Sequence, residues 1–152
     1  MKKFHKNLLE FEEVIGDLSQ SKALYELLKK REFKISSHDI PTMKTHHEFV
    51  SNHPYRVWYL IKNNGRYIGS TYLLDSNCLG ISVPDDQDLM FDKILNFMIS
   101  NHSPLSEIKS VRPANFYINI PPNHEKVKFE LENLGAKKIQ ITYSLENLKE
   151  IN

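Results

Sequence analysis

One thiol, seven histidines and a knot of carboxylates carry most of the reactive chemistry in this 152-residue sequence. Cys78 is the single cysteine, and no Lys, Arg or His lies beside it in sequence to draw out a thiolate. With an ordinary thiol pKa near ~8.5 it is a poor base and an unactivated nucleophile. His46 and His47 are adjacent on an expected helix and point ~100° apart, so they do not converge on one ion. Neither Cys-x-x-Cys nor His-Glu-x-x-His spacing occurs, and no metal is expected. Asp85, Asp86, Asp88 and Asp92 crowd one short stretch. At a helix start, such carboxylates suit the macrodipole and cap free amides. Trp58 and Tyr59 are neighbours on an expected strand and face opposite ways, so at most one of them looks into any single cleft.

The elements that must position these residues can be read from period and punctuation. Residues 3–11 read as an opening strand or a helical turn, with the strand preferred. Over 21–31, Leu24, Leu27 and Leu28 recur at helical spacing, with Ser21 as a candidate N-cap and Lys29, Lys30 and Arg31 at the C-terminal end. Pro41 opens a second short helix that Pro54 must end. Residues 55–62 and 67–74 are aromatic and β-branched runs joined across Asn64-Gly65, a strong hairpin signal. A third strand follows over 78–83, after the turn at Asp75-Ser76-Asn77. Leu89, Ile94, Leu95, Met98 and Ile99 then form one helical face. Residues 116–120 alternate as a strand that Pro121-Pro122 stops. A helix bearing Val127, Leu131 and Leu134 ends at Gly135, a natural residue for the left-handed position. Residues 138–145 read as a closing strand, with Ile139, Ile141 and Tyr143 on one side. The order predicts a single α+β domain over residues 1–152, with helices packed on both faces of a mixed, mostly antiparallel sheet.

Composition narrows the function classes. Forty per cent apolar and 26% charged residues are those of a globular chain. Twenty basic against nineteen acidic residues leave a net charge of +1, without the basic footprint that nucleic acid or an anionic membrane calls for. Lys126, Lys128, Lys137 and Lys138 lack interleaved stacking aromatics and read as a solvated face. No apolar run approaches the ~18 residues of a membrane span. A lone cysteine and no charged-then-apolar leader make a reduced, cytoplasmic protein the expectation.

Several segments, in order, resemble the GNAT superfamily of N-acyltransferases, and within it a bacterial branch. They are His53-Pro54-Tyr55-Arg56-Val57-Trp58-Tyr59-Leu60-Ile61, Tyr67-Ile68-Gly69-Ser70-Thr71-Tyr72-Leu73, Gly80-Ile81, Ile118-Asn119-Ile120-Pro121 and Leu134-Gly135-Ala136 through Tyr143. The likeness implies acetyl-CoA or another acyl-CoA as donor, a small-molecule amine (an amino sugar among them) as acceptor, and a homodimer. It places the pantetheine arm along Ile81, Ser82 and Val83, which would pair with it as an added strand does. The diphosphate would fall to the loop of Gln87, Asp88, Leu89, Met90, Phe91 and Asp92. There the branch has three glycines that this chain lacks, and two of their places hold aspartate. The catalytic base position of the resemblance is Cys78. The CoA-contacting Asn falls at His124 and the Tyr that protonates the leaving thiolate at Leu131, or, after a one-residue shift, at Asn123 and Glu130, with no phenol either way. Trp58 or Tyr72 would line the acceptor side. Two functions follow from this pattern: an acyltransferase, or a binding module of the same fold that has lost its chemistry.

Overall fold

The structure is a computed structural model and describes residues 8–31, 39–84 and 90–151. Among these, the elements run β1 (Leu9–Glu13), α1 (Leu18–Lys29), α2 (Met43–Ser51), β2 (Val57–Asn63), β3 (Arg66–Leu73), β4 (Cys78–Ser82), α3 (Phe91–Asn101), β5 (Tyr117–Ile118) and α4 (Glu125–Asn133). The five strands form one sheet in sequence order, antiparallel throughout except for the parallel pair β4–β5. The expected α+β fold is present, and no described helix is long and apolar enough to cross a membrane.

The aromatic hairpin β2–β3 is the centre of the sheet. Asn64 (φ 51°) and Gly65 (φ 78°) make the left-handed two-residue turn whose twist matches the strands it joins. Alternation then sends successive side chains to opposite layers. Trp58 and Leu60 face α1 and α2 and pack with Val14, Leu24 and Val50. Val57 faces α3, with Leu73, Leu79 and Met98. A bulge at Ile61/Lys62 leaves Ile68 over from the register, and it packs with Ile61, Met90 and Ile94. Leu60, Ile61, Leu73, Ile94, Met98 and Val50 are fully buried, each stabilising by ~1.5–3 kcal/mol relative to exposure.

Three expectations are corrected. The helix read over 21–31 starts three residues earlier. Asp17, not Ser21, is its N-cap: its carboxylate accepts from the Gln20 N–H at 2.8 Å. Ser21 is wholly buried and serves as a tie between helices. Its carbonyl accepts from His46 Nε2 at 3.0 Å, and its hydroxyl meets His47 Nδ1 at 2.7 Å. The opening strand begins at Leu9 and runs to Glu13, since its pairing with β2 (Leu9↔Asn63 to Glu13↔Tyr59) sets its limits; residues 1–7 lie outside those described. The closing strand over 138–145 is absent from the sheet. Gly135 (φ 93°) and Ala136 close α4 with bonds back to Glu132 and Leu131, and every residue from 132 to 151 is exposed. Alternation supplied strand propensity, but a strand also needs an edge within reach, and this turn does not deliver one.

His46 gives the helix pair a pH dependence. Burial holds its pKa below the usual 6.5, against the opposing bond to the Ser21 carbonyl and with the help of neighbouring His47. His102, beside Tyr59 at 3.0 Å, is depressed by burial as well. A histidine depressed in the folded state favours folding above its unfolded pKa, and that contribution is lost as pH falls through the folded value. The melting temperature is therefore expected to fall between pH 7.5 and 5.5, a window above the carboxylate range. His46→Gln is expected to flatten part of that slope, and an unchanged slope would count against this assignment.

Candidate functional site

The site begins with two strands that meet briefly and part. β4 and β5 pair only at Cys78↔Tyr117 and Leu79↔Ile118. Beyond those positions residues 81–84 and 119–121 line opposite walls of a cleft of about 440 Å³. Further wall comes from α1, α2 and the hairpin, with Leu27, His46, Phe49, Tyr55 and Trp58, and from the starts of α3 and α4, with Phe91, His124 and Val127.

A buried amide sets where β5 lies. Asn77 is fully buried in a left-handed turn (φ 70°) just before β4. Its Oδ1 accepts from the Leu105 N–H at 2.7 Å, and its Nδ2 donates to the Leu105 and Pro113 carbonyls at 2.9 and 2.8 Å. Its own carbonyl accepts from the Tyr117 N–H at 3.2 Å. The side chain thus holds the loop after α3, and the backbone carbonyl of the same residue meets the first residue of β5. Arg112 adds a bond from Nη1 to the Asp75 carbonyl at 3.2 Å.

Gly80 makes room for the aromatic wall. A Cβ there would stand 2.0 Å from the Tyr72 ring, so only glycine lets that ring lie across β4. Tyr72 stacks on Tyr55 (4.4 Å, 14°), and Tyr55 meets Trp58 edge-on at 5.0 Å. Burial, then Tyr72, pushes the Tyr55 phenol up to about 12 despite Arg31, so it stays protonated at neutral pH. Trp58 is buried, and its indole N–H has no hydrogen-bond partner among the described residues.

The residues singled out from sequence land in different places. Ile81, Ser82, Val83, Trp58 and His124 line the cleft, whereas Tyr72 reaches it through Tyr55. Gln87, Asp88 and Leu89 lie outside the described residues. Met90 is buried against Ile61 and Ile94, so its bulk is core. Phe91 is buried against Val127 and Leu131 while also lining the cleft. Asp92 is exposed, and its Oδ1 accepts from the Lys93 N–H at 2.8 Å. Asn123 is exposed in the turn before α4, and Leu131 is an apolar contact on the inner face of that helix. Cys78 is buried with its thiol near the Asn119 amide (3.6 Å), and burial raises its pKa.

Sequence reasoning missed His46 and Tyr55 as cleft residues. Their roles come from the packing of α2 against the hairpin, which no local pattern announces. No carboxylate lines the cleft among the described residues, but two histidines, Lys30 and Arg31 do. Nor do the described residues bring together three His, Cys, Asp or Glu able to hold a metal. The Nε2–H of His46 must donate to the Ser21 carbonyl, which leaves Nδ1 as the acceptor of a neutral ring. Cys78, protonated and enclosed, is expected to resist an aromatic disulfide reagent at pH 7.5 in the folded protein and to react promptly in denaturant. Equal rates in the two states would place the thiol at an open surface.

No family model and no curated protein matches the sequence. Solved structures do resemble the fold. A possible acetyltransferase from Clostridium difficile 630 superposes with a TM-score of 0.55 at 15% identity, covering 95% of this chain and 99% of its own. An aminoglycoside acetyltransferase from an uncultured soil metagenomic sample, solved with trehalose, gives 0.56 at 11% identity, covering 93% and 97%. The same enzyme with sisomicin gives 0.52, also at 11% identity and the same coverage. At these identities the likeness is one of architecture: the chain has an acetyltransferase fold.

Proposed function

We propose that the cleft binds an acyl thioester and transfers its acyl group to a small primary amine, with an amino sugar as a candidate acceptor. The observation that carries this reading is the parting of β4 and β5. Past Leu79 and Ile118 the two strands stop pairing with each other, and the cleft opens between them. An extended arm with two amides, such as pantetheine, can enter that gap and pair with backbone as an added strand.

In such a transfer the amine nitrogen attacks the thioester carbonyl carbon, the C–S bond breaks, and the proton leaving the amine ends on the thiol. Neutral His46, with Nδ1 as its acceptor, is the base in this reading. Tyr55, held protonated, is the phenol that gives its proton to the leaving sulfur, and the proton taken up by His46 then returns to the phenolate through solvent, so that both groups are reset. This division replaces the positions expected from resemblance, since a buried thiol at Cys78 and a leucine at 131 take or give no proton near neutrality. Trp58 supplies an apolar wall and an N–H for a carbonyl or hydroxyl acceptor.

A second reading, a binding module without catalysis, is favoured by those same two substitutions. The donor's diphosphate also separates possibilities. A loop without glycines gives few amides to an anion, and each missing charge-assisted bond costs ~1.5–3 kcal/mol. Acetyl-CoA and acetyl-pantetheine are therefore expected to bind within ~10-fold of each other; a working diphosphate cradle would favour acetyl-CoA by ~100-fold or more. Calorimetry, with fluorescence from the single tryptophan as a second signal, measures both. Thiol release with a panel of primary amines then tests transfer. His46→Gln is expected to lower its kcat by ~10²-fold or more with the fold retained by circular dichroism. Thioester binding without thiol release for any amine would favour the second reading, and no binding of either thioester would defeat acyl transfer and leave a module that has lost donor binding.

A further inference from the structure

The fixed charge in the cleft is of one sign. Lys30 and Arg31, at the end of α1, line it, and no carboxylate does among the described residues. Neither cation forms an ion pair with a described carboxylate. Lys29 next to them differs: Glu26 holds its Nζ at 2.7 Å, and it lines no part of the cleft. The helix macrodipole favours a cation at a C-terminus, which accounts for Lys29. It does not account for an arginine past the last turn that lines a cleft. The Arg31 charge also reaches the aromatic wall. Burial raises the phenols of Tyr55 and Tyr72, whose rings stack at 4.4 Å, and Arg31 works against it at both. The gap for the donor arm is elsewhere, between residues 81–84 and 119–121. The two cations therefore stand with α2 and His46, on the side where an amine would enter.

We propose that the acceptor carries a carboxylate as well as its amine: an amino acid with an apolar side chain, its carboxylate docked on Arg31, in preference to a polycationic amino sugar. This rests on the cleft being the site of acyl transfer. A polyamine would bring several positive charges to two of the same sign, with no described carboxylate in the cleft to hold them. A carboxylate reverses that sign, and a guanidinium meets it with two parallel hydrogen bonds where a lysine offers a point charge. Leu27, Phe49 and Tyr55 give an apolar side chain its wall. The carboxylate takes no part in the bond changes. The amine enters as its free base, its nitrogen bonds to the acyl carbon as the C–S bond breaks, and the carboxylate keeps its charge throughout and fixes the orientation.

The acylated product keeps the carboxylate, so the docking can be read without the chemistry. N-acetyl-phenylalanine and N-acetyl-phenylalaninamide, which differ in that one charge, are titrated into the full chain by calorimetry. The acid is expected to bind ~10-fold or more tightly than the amide at low ionic strength, with the ratio narrowing at about 0.5 M salt. Arg31 is exposed, so Arg31→Gln should keep the fold, and its ratio is expected to fall within ~2-fold of unity. Lys29→Gln is expected to keep the wild-type ratio. Equal binding of acid and amide by the wild type, or binding of neither, overturns the proposal, as does a preference for the acid that survives Arg31→Gln. Weaker binding of acetyl-CoA relative to acetyl-pantetheine in Arg31→Gln overturns it too, because the cation would then serve the donor's phosphates. In thiol release, phenylalanine is expected to exceed phenylalaninamide by a similar factor in kcat/KM. Absence of release with every amine, while the acid keeps its advantage in binding, would defeat transfer and leave the carboxylate site standing.

Discussion

The buried amide of Asn77 is the constraint on which the cleft depends. Three of its side-chain bonds and one backbone bond tie the turn before β4, the loop after α3 and the start of β5 to one point. Parallel neighbours cannot be joined by a tight turn and need a long crossover, so something beyond chain connectivity must bring β5 to β4. A satisfied buried amide does this at little net cost, whereas removing it would leave the backbone groups of Leu105 and Pro113 without this partner. The left-handed backbone at this position also suits asparagine among residues with a side chain. Because the contact is made at one end, the strands are free to diverge at the other.

The chemistry of the cleft follows from which layer each hairpin residue faces. Trp58, Tyr55 and Tyr72 gather on the side of α1 and α2, with Gly80 leaving space for the last of them. Burial acts on the titratable side chains here in the direction that keeps each neutral, raising Tyr55 and Tyr72 and lowering His46. A neutral base and a neutral acid in one apolar cleft suit a reaction that moves a proton from amine to thiol.

Much of this architecture was legible in the sequence because it is local. Asn64-Gly65 specified the hairpin, the alternation through Trp58 and Leu60 separated the two layers, and Gly135 marked the end of α4. What escaped was set by distant partners. Asp17 and Ser21 both look like caps in sequence, and only the packing of α1 on α2 makes one the cap and buries the other. The residues 138–145 carry strand alternation yet form no strand, because pattern alone does not supply an edge to pair with. Cys78 and Leu131 were located by resemblance; one is a buried thiol and the other an apolar contact of α4. His46 was noticed only as half of an unconvincing metal pair, since its value as a base arises from a carbonyl twenty-five residues away at Ser21.

The most direct measurement is hydrogen exchange of the Tyr117 and Ile118 amides in Asn77→Gly. Glycine accepts the left-handed backbone, so the change removes the side-chain bonds without adding strain there. If one amide holds β5 in place, protection at Tyr117 and Ile118 falls to that of an open loop while the β2–β3 amides keep theirs. Protection of β5 that matches the wild type would contradict the account, because the cleft would then owe its far wall to some other contact.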